Sequence, residues 1–338
     1  MKRRAFVLGA LGAAAGAFAR EARFERGLLW RVSHKGLAPS HVYGTIHDAD
    51  ARASEIPASV AAAPSWGSGG RFERGLLWRV SRKGQAPSHV YGTIHEADPR
   101  VAEMPASVAA TFERSRSLMV EFLPDAYTQE RFLEAAMFLD RQTLEEKIGA
   151  EDFARVLDEL APIGLPREFV NKLKPWGALI NLRRAPASAS TSLDAQLIGQ
   201  ARARRMPLAQ IEGVEEQIFT FDECPMDSQV ALLKHSLAHR DELIELAAGT
   251  VGAYLERDLA AIWRLRERFI ARYPEVAAHQ AVMTKRVLHD RSVVMAFRMQ
   301  RELRRGNAFV ALGALHLYGA QGVLALLESD GYRAARVY

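Results

Sequence analysis

The sequence predicts an α/β fold of the α+β kind: a mixed central β-sheet with flanking helices and a largely helical insert. Three observations predict it. Short apolar runs bounded by Gly, Pro and Ser read as strands at 76–80, 87–91 and 117–122, then at 307–313 and 332–337. Between these groups, helical periodicity covers roughly 127–138, 151–160, 176–184, 193–205, 226–247, 258–270 and 275–305, with one further strand at 207–212. Pro124, Pro162, Pro166, Pro175, Pro186, Pro207, Pro225 and Pro274 fall at the breaks, where proline ends one element or opens the next. Strands, then helices, then strand–helix–strand imply a sheet carrying a helical insert over about 125–305.

The chain opens on a basic stretch, Lys2-Arg3-Arg4, followed by a mild apolar run from Ala5 to Ala15. Ala17-Phe18-Ala19 has the small-x-small form of a signal-peptidase site, so residues 1–19 read as a secretory leader. The run is too short for a stable membrane anchor. Arg3-Arg4-Ala5-Phe6-Val7-Leu8 also resembles a twin-arginine signal, and an ordinary signal peptide with two arginines accounts for it equally well. Either way the mature protein is expected outside the cytoplasm, in the periplasm or the cell exterior.

Residues 23–62 return almost verbatim as 71–110. Arg23 to Trp30 reappears as Arg71 to Trp78, and His41 to His47 as His89 to His95. Each copy reads as a hairpin: a strand Leu-Leu-Trp-Arg-Val-Ser, a Lys-Gly turn, then Ser-His-Val-Tyr. The linker Ala63 to Gly70 is Gly/Ser-rich and flexible by composition. Only the second copy runs without a linker into the strand Ser117 to Phe122. The second copy is therefore expected in the sheet, with 20–70 a surplus hairpin and linker, and 71–338 the main domain. An extra hairpin has bare edges that favour association.

The final unit is the clearest. Asn307 to Leu312 is continuously apolar, as in a strand covered on both faces. A helix over Gly319 to Ser329 and a closing strand from Tyr332 to Tyr338 follow.

Composition excludes several functions. The 338 residues are 49% hydrophobic and 25% charged, the profile of a globular protein. The net charge is +5, part of it from Lys2, Arg3 and Arg4, and too evenly spread to argue for nucleic acid. One cysteine, Cys224, rules out an intramolecular disulfide and a paired-cysteine zinc site. No stretch after the leader is long and apolar enough for a membrane helix.

Four polar groups stand where strands finish: His95 after Tyr91-Gly92-Thr93-Ile94, His316 after Leu312-Gly313-Ala314-Leu315, Glu121 within Leu118 to Phe122, and Glu212 after Leu208 to Ile211. Ligands of open α/β sheets bind at the carboxyl ends of strands, so these groups are candidates to converge. Gly92 and Gly313, lacking Cβ, permit a sharp turn and close ligand approach. Glu121, among Leu118, Met119, Val120 and Phe122, needs a cation, a proton or a metal as partner. Burial would raise its pKa and suit it to general acid–base work. Taken singly, a strand histidine is more often structural than functional; the repeated Gly-x-x-His balances the odds.

At these residues the chain resembles the TraB/GumN family, which is related to Tiki proteases and more distantly to erythromycin-esterase and ChaN-like haem-binding proteins. The likeness runs over about 72–338. It rests on Leu77 to Val80 with Tyr91 to His95, on Leu193-Asp194-Ala195-Gln196-Leu197 with Glu212 to Gln217, and on Gly313 to Gly319 with Leu326-Leu327 and Gly331-Tyr332. It departs from the family pattern at Ser292, where an Asn usually follows the Arg, and at Gly213, where a Thr is usual.

The resemblance implies metal-dependent or metal-assisted peptidase-like activity. By that analogy His95 and His316 ligate a divalent metal or orient water, and Glu121 is general base or third ligand. Glu212 is then a second carboxylate, and Arg291 neutralises an oxyanion or a substrate carboxylate. A metal would lower the pKa of its water. A metal-free variant would use Glu121 and a histidine directly. The substrate expected is a secreted peptide or a small amide or ester. The competing readings are a non-catalytic protein that sequesters a peptide or haem in the same cleft, and a surface interaction module built on the extra hairpin.

Other motifs read as structural. His235 and His239 have zinc-pair spacing without a zincin glutamate, and a solvated helix face is favoured. Arg202, Arg204 and Arg205 complement a helix C-terminus, and Asp194 a helix N-terminus. Trp176 and Trp263 read as core.

Overall fold

The computed structural model describes residues 72–95, 98–182 and 192–338 in full, and the backbone of 29–32 and 40–43. The leader, the linker and His47 lie outside the described residues. The chain divides into two units, Met1–Ala63 and Pro64–Tyr338.

In the first unit, β1 (Leu29–Val32) pairs antiparallel with β2 (Ser40–Tyr43), Leu29 opposite Tyr43. The second unit opens with the same hairpin, β3 (Leu77–Ser81) and β4 (Ser88–Thr93), in the same register, Leu77 opposite Tyr91. The second copy's strands belong to a six-stranded sheet; the first copy's form a separate two-stranded one.

Short helices α1 (Pro99–Ala102) and α2 (Ala106–Glu113) lead into β5 (Ser117–Val120). The insert follows: α3 (Ala126–Ala135), α4 (Leu144–Ile148), α5 (Ala150–Leu160), α6 (Arg167–Lys172), α7 (Pro175–Leu182) and α8 (Leu193–Ala203). Strand β6 (Leu208–Gln210) interrupts it. Then come α9 (Val214–Asp222), α10 (Met226–Ala238), α11 (Arg240–Leu255), α12 (Leu259–Ala271), α13 (Pro274–Thr284) and α14 (Arg291–Arg305). The end is β7 (Ala308–Gly313), α15 (Val323–Ser329) and β8 (Arg333–Arg336). The fold is the mixed α/β sheet with flanking helices that the sequence predicts.

The sheet runs β6-β5-β7-β4-β3-β8. Strands β6, β5, β7 and β4 are mutually parallel, while β3 runs antiparallel to both β4 and β8. The central parallel strands β5 and β7 are buried along almost their whole length because helices cover both faces. Leu118, Val120, Phe309, Val310, Ala311 and Leu312 are fully buried at the centre. A second core of Leu144, Phe153, Val156, Leu173, Leu232 and Leu233 lies within the insert, so that part packs around its own interior.

The predicted helix 226–247 is two helices broken at His239. His235 is buried, not solvated, its ring against His239, Phe269 and Tyr273. The predicted helix 275–305 contains a π-helical turn, Lys285–Asp290, immediately before Arg291. The helix expected over Gly319 to Ser329 is shorter, beginning at Val323. Helices α1, α2, α4, α6 and α9 have no counterpart in the sequence reading; most are too short to show a periodic stripe.

Candidate active site

Because β6, β5, β7 and β4 are parallel, their carboxyl ends share one edge of the sheet. The chain leaves those ends at Gln210, Val120, Gly313 and Thr93, which brings Glu212, Glu121, His316 and His95 to the same rim. Glu121 and Glu212 are themselves linked, the Glu212 amide donating to the Glu121 carbonyl at 2.9 Å.

Arg291 ties the two carboxylates together. Its Nη2 donates to Glu121 Oε2 and to Glu212 Oε2, each at 2.6 Å, and its Nε to both Glu212 oxygens at 3.0 and 3.1 Å. A π-helical turn, Lys285–Asp290, immediately precedes Arg291, the first residue of α14. The Gly313 amide donates to Glu121 Oε1 at 2.6 Å. The side chains of Glu212, Glu121 and Arg291 are buried or nearly so.

His316 lies one turn past β7, in the 3₁₀ turn Ala314–Leu317 rather than on the strand. Its Nε2 is 4.0 Å from Glu121 Oε1, and its Nδ1 is 2.9 Å from Ser292 Oγ. It is fully enclosed, so it supports the rim from behind.

His95 is different. Its side chain is 63% exposed, and Nδ1 stands 3.3 Å from Asp194 Oδ2. Asp194 Oδ1 accepts from Thr93 Oγ1 at 3.1 Å. The sequence reading assigns Asp194 to the helix dipole. It does sit in the first turn of α8, but its side chain turns to the end of β4.

A cleft of about 330 Å³ opens between these groups, lined by His95, Glu121, Asp194 and Arg291, with apolar walls from Val120, Phe122, Ile198 and Phe221. His316 and Glu212 do not line it.

The electrostatics correct one expectation. Burial does push the Glu121 pKa up and is the largest single influence. The charges of His316, Arg291 and His95 and the Gly313 hydrogen bond together outweigh it and take the pKa down to about 2. Glu121 is therefore a fixed negative charge and a poor proton acceptor. Burial holds His316 down to about 4, with Arg291 and His95 adding to the effect and Glu121 opposing it, so the ring is neutral at pH 7. Burial pushes Asp194 up, against the pull of His95 and Thr93. Arg291 is raised: burial opposes its charge, but Glu212 and Glu121 prevail.

The residues expected as metal ligands, His95, His316 and Glu121, do not fit a metal as they stand. Each Glu121 oxygen already accepts a hydrogen bond, one from a guanidinium that would repel a second cation. His95 faces Asp194, and among the described residues no group of three or more His, Cys, Asp or Glu side chains is arranged to hold an ion.

The Gly92 backbone is hydrogen-bonded too, its carbonyl accepting from Tyr254 Oη at 2.8 Å. Gly92 makes room for protein, not ligand. A Cβ there would lie 2.9 Å from Ala314 Cα and from Leu317 Cδ1, so its absence lets the His316 turn pack on β4. At Gly313 a Cβ would come within 3.2 Å of Glu121 Oε1.

Sheet and rim together define an α/β protein with its candidate site in a strand-end cleft. The model of the TraB/PrgY/gumN family matches residues 76–336, and the chain belongs to that family. No curated protein matches the chain, and no solved structure does. No helix among the described residues is long and apolar enough to cross a membrane.

Proposed function

We propose that the chain is a hydrolase cleaving a peptide or amide bond with water activated at the mouth of the cleft. The observation that carries this reading is an exposed imidazole, backed by a carboxylate, sharing one cleft with a fixed guanidinium: His95 with Asp194, and Arg291. A ring nitrogen of His95 open to the cleft takes a proton from water. Arg291, held rigid by two carboxylates, offers its charge to the oxygen that becomes anionic, without reorganising. Glu121 stays ionised and stabilises the imidazolium as it forms. Glu212 anchors Arg291, and His316 with Ser292 fixes the turn that presents the Gly313 amide to Glu121. This chemistry uses protein groups alone.

The test is to incubate the purified mature protein with a defined peptide mixture and follow new termini by mass spectrometry. His95→Gln should lower turnover by about 10²- to 10⁴-fold, the range for loss of a general base. Turnover equal to the native protein in that variant sinks the reading.

The apolar walls also support the second reading, a non-catalytic protein that sequesters a peptide or haem. Its mark is peptide binding, or a Soret band on reconstitution, with no cleavage by the native protein. Export to the periplasm or cell exterior is part of the proposal, supported by Lys2 to Ala19. A mature N-terminus at Met1 in the cytoplasm contradicts it.

A further inference from the structure

Asp194 lies on a helix, far in sequence from the strand whose end it meets. Leu193, Leu197 and Ile198 bury α8 against the sheet, and Gln196 Nε2 ties it to the Ala102 carbonyl at 2.7 Å. The carboxylate is thus delivered to the end of β4 by a rigid element.

Thr93 is the last residue of β4 and His95 follows two residues later, and both side chains meet the Asp194 carboxylate. One carboxylate can address both. Oδ1 accepts from Thr93 Oγ1 at 3.1 Å, which fixes the rotation of the group. Oδ2 is then aimed at His95 Nδ1, 3.3 Å away. That contact is at ion-pair distance but short of hydrogen-bond alignment, and Oδ2 is buried with no other hydrogen-bond partner. A buried carboxylate oxygen without a donor is unusual, and the imidazole is the donor within reach. Contacts of this kind tighten when substrate closes a site.

We infer that Asp194 is a positioning residue for His95, its Oδ2 accepting from Nδ1–H so that Nε2 is left bare toward the cleft. This rests on the reading of His95 as the proton acceptor. A free imidazole favours the opposite tautomer and turns about its bonds; the carboxylate removes both freedoms. In this role Asp194 acts through the ring. The Thr93 hydroxyl is part of the device, because it decides which oxygen faces His95.

The experiment is long-range ¹H–¹⁵N spectroscopy of the full mature protein carrying ¹⁵N-imidazole label at neutral pH, with His95→Gln assigning the resonance. Native His95 should carry its proton on Nδ1. In Asp194→Asn, Thr93 still donates to the amide oxygen, so the amide NH₂ faces the ring and the proton should move to Nε2. In turnover, Asp194→Asn should lower kcat with KM unchanged, and Asp194→Glu should restore part of it. A native His95 protonated on Nε2 overturns the inference even if the variant does not fold. So does a tautomer unchanged in a folded Asp194→Asn protein. Failure of the hydrolase reading is a separate result: it shows as full turnover in His95→Gln, whatever the tautomer.

Discussion

Arg291 Nη2 lies 2.6 Å from Glu121 Oε2, although the two residues are 170 positions apart in the chain. The same nitrogen reaches Glu212, so one guanidinium bridges two carboxylates in a nearly dry rim. Removing one partner of a buried ion network leaves the others uncompensated, at a typical cost of about 3–5 kcal/mol. Arg291→Ala should lose stability in that range by urea unfolding at neutral pH. Arg291→Lys keeps the charge but loses the fork that spans both glutamates, and should fall between. If Arg291→Ala unfolds with the native midpoint, the network does not support the rim.

What the sequence could and could not announce follows from the range of each interaction. All six strands of the main sheet were legible: the central β5 and β7 because a strand buried on both faces is apolar over adjacent residues, the edge strands through the Gly and Pro residues that bound them. So was the gathering of His95, Glu121, Glu212 and His316 at one rim, since each follows an apolar run that ends in a polar residue. The low pKa of Glu121 was not legible. Its neighbours Leu118, Met119, Val120 and Phe122 argue for a raised value, and the His316 and Arg291 groups that reverse the sign arrive from the turn after β7 and from the last helix of the insert. Asp194 does stand in the first turn of its helix, as its place in the sequence implies, but nothing local shows that its side chain also reaches the end of β4. The burial of His235 depends on Phe269 and Tyr273, both on later elements.

The two glycines of the Gly-x-x-His motifs should fail in different ways. Gly92→Ala drives a methyl group to within 2.9 Å of Ala314 Cα, a backbone atom that cannot swing aside. Such overpacking costs about 1–3 kcal/mol and should displace the turn carrying His316. Gly313→Ala meets His316 Cδ2 at an ordinary 3.5 Å and Glu121 Oε1 at a tight 3.2 Å, and the carboxylate yields by a few tenths of an ångström at the expense of its hydrogen bond from the Gly313 amide. Its stability loss should be near 1 kcal/mol, the worth of one such bond. Equal losses at the two positions contradict the distinction.

The duplicated hairpin yields a deletion test. The strands of the six-stranded sheet all lie between Leu77 and Arg336, and the second copy supplies two of them. Removing residues 20–70 should therefore leave the far-ultraviolet circular dichroism per residue and the unfolding midpoint of the main unit essentially native. Loss of cooperative unfolding in the deleted protein shows that the first copy contributes to the fold. In the full-length chain, His95→Ala should abolish turnover and His47→Ala should not; the reverse result identifies the first copy as the functional one.

Acid should weaken the fold through His316. Burial holds its pKa at about 4 in the folded protein, against an ordinary value of 6.5. Above 6.5 the ring is neutral in both states and its full contribution is present. As the pH falls below 6.5 the unfolded chain binds a proton that the folded one refuses, so stability declines until the folded ring titrates near 4. Between pH 7 and pH 5 this amounts to about 2 kcal/mol, from 1.36 kcal/mol per pKa unit. His289 is pushed the same way by burial, down to about 4, and adds its own slope. The comparison is therefore between the native protein and His316→Gln, since both retain His289. In the native protein Glu121 titrates well below this window. Urea unfolding at half-unit intervals should show the native protein losing about 2 kcal/mol more than the variant between pH 7 and pH 5. Parallel curves would mean that the His316 ring takes its proton in the folded state as readily as in the unfolded one, and that the rim behind Glu121 is wet.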